Sequence, residues 1–184
     1  MNFQSYLDYF NQILNSANPE GPYNQPDYLE YTRLNWSRLN RWLKHGVLSP
    51  RLQEFITGIE KPQSWIIITE PWCGDAAHTV PFMEMTAALN PLIAVSYELR
   101  DSPPHRITQY LTNGSKSIPI LIVKNENGED LFRWGPRPKD AQQLFLKLHA
   151  ENAVFDEMKT ALQKWYNKDK GEAFQEELLH LFLK

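Results

Sequence analysis

The sequence predicts an α/β fold: a central mixed sheet with helical extensions at both ends. Three features point to it. Between residues 64 and 149, short β-branched apolar runs alternate with stretches of helical spacing. Two of those runs flank Asn125-Glu126-Asn127-Gly128, a hairpin signal. Residues 1–60 and 151–184 carry their apolar side chains at helical spacing only.

Tyr6, Phe10 and Leu14 lie four apart and predict a first helix, which the loop from Asn15 to Gln25, with Pro19, Gly21 and Pro22, interrupts. A longer helix is expected from Asp27, because Leu29, Trp36, Leu39, Leu43 and Val47 project within about 80° of arc. Gly46 and Ser49-Pro50 stop it, and Pro50 opens a short helix to Gly58. Trp65 to Thr69 suits a strand buried on both faces. Gly74 to Leu89 reads as a helix with a kink expected at Pro81, and Leu92 to Leu99 as the second strand. Asp101-Ser102-Pro103-Pro104 supplies cap residues and prolines for a helix to Leu111, ended by Asn113-Gly114. Pro119–Val123 and Asp130–Trp134 are the hairpin arms, and Pro138 opens a helix to Ala150. Val154, Met158, Leu162 and Trp165 then line one helix, and Phe174, Leu178 and Leu181 another, after a break at Lys168-Asp169-Lys170-Gly171. The order over 64–149 is β-α-β-α-β-β-α. The extension over 1–60 and the helical hairpin over 151–184 have apolar stripes that need a core to cover them, so 1–184 is expected to form one domain.

Composition excludes several classes. Apolar residues make up 42% and charged residues 22% of the 184, which is ordinary globular usage and argues against disorder. The 19 Lys plus Arg against 22 Asp plus Glu leave a net charge of −3, so nucleic acid is not an expected partner. Trp65–Ile68 and Ile118–Val123, the longest apolar runs, fall far short of the ~20 residues of a spanning helix. No basic residue precedes Arg33, so neither export nor membrane insertion is expected, and a cytoplasmic location follows. The five histidines are scattered and no metal or cofactor motif occurs. Cys73 is the single cysteine, which excludes any internal disulfide.

Trp72-Cys73-Gly74-Asp75-Ala76 follows the first predicted strand and opens the first helix of the core. A sulfur at a helix N-terminus meets unpaired amides and the helix dipole, which stabilise a thiolate. Asp75 in the same turn opposes that charge, and its expected role is N-terminal capping. The other reading of Cys73 is a small buried apolar residue. His78 on the same helix is expected to be a satisfied or surface histidine, and Arg137 a surface ion-pair partner. Arg33, Arg38, Arg41 and Lys44 project opposite the apolar set of their helix and are expected to form a solvated basic face.

The strand–loop–helix placement of Trp72-Cys73, with Ile118-Pro119 starting a later strand, resembles the thioredoxin superfamily. The resemblance implies a thioredoxin-like fold, with Cys73 as the attacking-thiol position, Trp72 and Gly74 as its flanks, and Pro119 as a cis-proline beside it. The Trp-Cys-Gly-Asp loop, Tyr110 to Gly114, Lys116 to Pro119, Arg133 to Pro138 and Trp165 to Gly171 are similar to a bacterial thioredoxin-like group with added terminal helices. In dithiol members a second cysteine stands where this chain has Ala76, and it resolves the mixed disulfide. Two functions therefore stay open. One is monothiol exchange with a disulfide-containing or glutathionylated partner or a small thiol, with glutathione as co-substrate. The other is a redox-inert adaptor in which the groove beside Cys73 and Pro119 pairs, through Ile118, with a peptide.

Overall fold

The computed structural model describes residues 1–184. Three helices come first: α1 (Phe3–Asn15), α2 (Pro26–His45) and α3 (Pro50–Thr57). Asn2 and Ser49 cap α1 and α3 by accepting the backbone N–H groups of Ser5 and Leu52. Then β1 (Gln63–Thr69), α4 (Gly74–Ala87), β2 (Ile93–Leu99), β3 (Ile120–Lys124), β4 (Asp130–Trp134) and α5 (Lys139–Ala150) make the central layer. The chain ends with α6 (Phe155–Asp169) and α7 (Glu172–Phe182).

The sheet order is β2-β1-β3-β4. β1 and β2 run parallel with Ile67 opposite Tyr97, while β3 is antiparallel to both β1 and β4. The sheet is mixed, as the sequence predicts. Its two central strands are the apolar runs: Trp65, Ile67, Ile120, Leu121, Ile122 and Val123 are all fully buried. The hairpin turns where expected, with Gly128 in the left-handed region and Asn125 Oδ1 accepting the N–H groups of Asn127 and Glu129.

Both extensions share the core. One cluster of 29 buried residues runs from Tyr6 and Phe10 in α1 through Leu39 and Trp42 in α2 to Phe174, Leu178 and Leu179 in α7. α2 lies along α4, and α7 packs against α3 and α4. Gly171 precedes α7 as its N-cap at φ 84°, with the Phe82 ring packed where a β-carbon would stand, so any other residue there would be strained and would displace the ring.

Three sequence expectations fail. The helix proposed from Asp101 to Leu111 is only a short 3₁₀ turn, Arg106–Gln109. Pro103 precedes Pro104 and so is driven from the α region, and His105 turns the chain at φ 55°. Val47 is not on the buried face of α2: the helix ends at His45, extended Gly46 carries the chain away, and Val47 is 75% exposed. Val154 likewise sits exposed before α6, whose buried residue is Tyr166.

Candidate functional site

The loop after β1 places Cys73 at the N-cap of α4. Three contacts pin that loop. Asn35 Nδ2 on α2 donates to the Pro71 carbonyl at 3.1 Å, the Cys73 N–H donates to the Glu70 carbonyl at 3.0 Å, and the Tyr23 hydroxyl donates to the Glu70 carboxylate at 3.3 Å. Gly74 lets the extension approach: a β-carbon there would collide with the Tyr31 hydroxyl of α2.

Cys73 is 6% exposed and lies against Ile118. Its Sγ donates to the Ile118 carbonyl at 3.3 Å and accepts the Ala76 N–H at 3.4 Å. The Ile118–Pro119 peptide is cis. The structure thus brings Trp72, Cys73, Gly74, Asp75, Ala76, Ile118 and Pro119 to one end of the sheet. Helix position alone predicts a stabilised thiolate, and here that expectation is corrected. Burial first, and then the Asp75 charge, push the Cys73 thiol up to about 12.

Asp75 does not cap α4, since Cys73 Sγ occupies that role. Its carboxylate instead meets Arg137 Nη2 at 2.8 Å and accepts the Tyr166 hydroxyl at 2.9 Å. The Asp75 and Arg137 side chains are 11% and 16% exposed, so the surface ion pair expected of Arg137 is in fact an interior one. Burial raises the Asp75 carboxyl against the pull of Arg137. Nothing in the sequence spacing joins Asp75 to residues that lie so far along the chain.

His78 is enclosed. Trp42 Nε1 donates to its Nδ1 at 2.8 Å, Gln163 Oε1 lies 3.1 Å from its Nε2, and Tyr166 stacks on the ring at 4.4 Å. Burial lowers its pKa to about 3. The unfolded chain therefore binds a proton that the folded one refuses, and stability falls as pH drops below the ordinary histidine value of 6.5 toward 3. Between pH 7 and 5 this group should withdraw about 2 kcal/mol of stability. Urea titrations of wild type and His78→Gln at both pH values measure it; an equal change in the two proteins would refute the assignment.

The basic face predicted on α2 is divided. Arg33, Arg41 and Lys44 are exposed, with Arg41 donating to Asn167 of α6 at 2.7 Å, but Arg38 points inward and is 9% exposed.

Above Cys73 lies a groove of about 1090 Å³, walled by α2, α5, α6 and residues 115–118. Tyr28, Tyr31, Trp72, Phe145 and Phe155 are among its lining residues. No backbone group accepts the N–H of Ser117 or Ile118. No cluster of three or more His, Cys, Asp or Glu side chains is close enough to hold a metal, and no helix is long and apolar enough to cross a membrane.

A family model described as thioredoxin matches residues 21–165. Among solved structures, an HIV epitope scaffold is similar at 16% identity with a TM-score of 0.55, over 99% of this chain and 98% of that one. A Pseudomonas aeruginosa protein of unknown function is similar at 16% identity with a TM-score of 0.50, over 94% of this chain and 99% of that one. An alkylhydroperoxide reductase chain from Enterococcus faecalis is similar at 15% identity with a TM-score of 0.41, over 55% and 50% of the respective chains. No curated protein matches the chain.

Proposed function

The chain belongs to the thioredoxin family, and on that ground we propose that it is a groove-binding member whose lone thiol stays protonated at neutral pH. One observation carries this reading. Cys73 Sγ, almost without solvent contact, donates its proton to the Ile118 carbonyl. A thiolate has no proton to give and would face that oxygen as a bare repulsion, so the ground state is the thiol. Ala76 adds to the argument: a mixed disulfide at Cys73 has no internal thiol to release it. The free N–H groups of Ser117 and Ile118 on the groove wall suit an extended peptide that adds as a strand.

A second reading is monothiol exchange. The Ala76 N–H on Cys73 Sγ is the contact that would hold a thiolate once the groove opens. In that reaction the Cys73 thiolate attacks the glutathione sulfur of a glutathionylated substrate, takes the glutathione as a mixed disulfide and releases the substrate thiolate. A second glutathione thiolate then attacks, freeing Cys73 and leaving as glutathione disulfide.

Iodoacetamide labelling separates the two. Native Cys73 is expected to react at least about a hundredfold slower than free cysteine at pH 7, with a rate still climbing past the pH where free cysteine levels off. Labelling as fast as free cysteine would reject the protonated-thiol reading. Glutathione-dependent turnover of a glutathionylated peptide, lost in Cys73→Ser, would install the second in its place.

A further inference from the structure

Arg38 is the one guanidinium in the interior of the molecule that has no acidic partner. It makes none of the ion pairs found for Arg51, Arg100, Arg106 and Arg137. Of its three nitrogens only Nη1 has a hydrogen-bond acceptor, Asn35 Oδ1 at 2.8 Å. Nε is buried and donates to nothing. The side chain lines the groove beside Cys73 and Asp75, with its guanidinium 5.1 Å from the centre of the Tyr31 ring.

Arg137, across the same floor, repeats the pattern. Nη2 is on Asp75 and Nη1 on Gln142, but its Nε is also buried without an acceptor. The local charge does not balance. Two guanidinium groups share one interior carboxylate, Asp75, while His78 is neutral at pH 7 and Cys73 keeps its proton. The other acids lining the groove do not repair this: Asp156 is paired with Lys159 at 2.7 Å, and Asp27 and Glu30 are exposed on α2. An interior cation with an orphaned donor is costly unless an anion completes it. The guanidinium fork suits a carboxylate or phosphate, which can accept from two of its nitrogens at once.

We propose that Arg38 anchors an oxyanion subsite in the groove beside Cys73, which takes a carboxylate or phosphate group of the bound ligand. The proposal rests on the reading of the groove as a binding site and makes its ligand acidic. The N-terminal extension then has a function of its own, because α2 delivers to the thiol site a cation that residues 64–149 do not contain.

The test uses the full ¹⁵N-labelled chain at pH 7 and follows the Arg38 Nε–H resonance together with the backbone N–H resonances of Gly74, Ser117 and Ile118, groove residues that report equally in the Arg38 variants. Sodium phosphate and S-methylglutathione, a peptide acid without a free thiol, are titrated separately against sodium chloride at equal ionic strength. The expected result is a saturable shift with at least one of the two oxyanions, absent with chloride. Tighter binding of phosphate would mark a phosphoryl group as the natural anchor, and tighter binding of S-methylglutathione a carboxylate. Arg38→Gln should weaken binding about tenfold or more, the scale of a lost charge-assisted contact, and Arg38→Lys should weaken it less. Should Arg38→Gln fail to fold, the wild-type titration and Arg38→Lys decide alone. No saturable shift with either anion, an equal shift with chloride, or unchanged binding in a folded Arg38→Gln overturns the subsite. The readout does not involve the thiol, so its failure leaves the protonated-thiol reading standing, and a reactive Cys73 leaves the subsite standing.

Discussion

A chain truncated after Ala150 is expected to be unfolded at room temperature. The deletion removes Tyr166, Phe174, Leu178 and Leu179, all buried, and each buried side chain of this size contributes roughly 1.5–3 kcal/mol. The sum approaches the whole stability of an ordinary domain, about 5–15 kcal/mol. What remains is also damaged. His78 loses Gln163 and the stacked Tyr166 ring, Phe82 loses the cover at Gly171, and Trp134 loses both Phe174 and the Glu177 carboxylate that accepts its Nε1–H at 2.7 Å. Circular dichroism of the truncated chain should show no cooperative melt. A melt at the temperature of the full chain would mean that α6 and α7 contribute nothing to the core.

The second large effect is expected at Asp75. Asp75→Asn preserves the volume and can still accept from Tyr166, but it leaves the Arg137 charge without its 2.8 Å partner. Breaking an interior ion pair on one side costs about 3–5 kcal/mol, and urea unfolding should lose that much. The same change removes the negative charge that, after burial, raises the Cys73 thiol. Iodoacetamide should therefore label Cys73 faster in Asp75→Asn than in wild type, at any pH below the thiol's own. Loss of stability with unchanged labelling would show that Asp75 serves the fold and not the sulfur.

The parts of this molecule that follow short-range rules were legible in its sequence. Trp65–Thr69 and Ile120–Val123 announce interior strands because both faces need apolar side chains, and Asn125–Gly128 announces its turn because few residues adopt that backbone. Cys73 at the start of α4 was legible too, from the change of period around it. The thiolate expected from that position is wrong in sign, because the cost of burying the charge outweighs the pull of the helix N-terminus, and burial against a residue as distant in the chain as Ile118 is not a local property. Arg38 shows the same limit: its place opposite the apolar stripe implies solvent, but the side chain turns into the groove beside Cys73 and is buried there. The pairing of Asp75 with Arg137 and Tyr166 has no periodicity to betray it. The Pro103-Pro104 pair is different, because a proline followed by a proline is already driven from the α region and the expected helix contradicted a local rule.

The wall around Cys73 draws on both ends of the chain. Tyr28, Tyr31 and Arg38 come from α2, and Phe155, Leu162 and Tyr166 from α6. Synthesis delivers these partners far apart in time. Cys73 emerges from the ribosome long before α6 and α7, and at about 5–20 residues per second the interval lasts several seconds or more. During that interval Tyr166 is missing from Asp75 and the sulfur lacks the full burial that raises its thiol. The nascent chain is thus the form of this protein most open to oxidation or adduct formation, and completion of its last two helices is what closes that exposure.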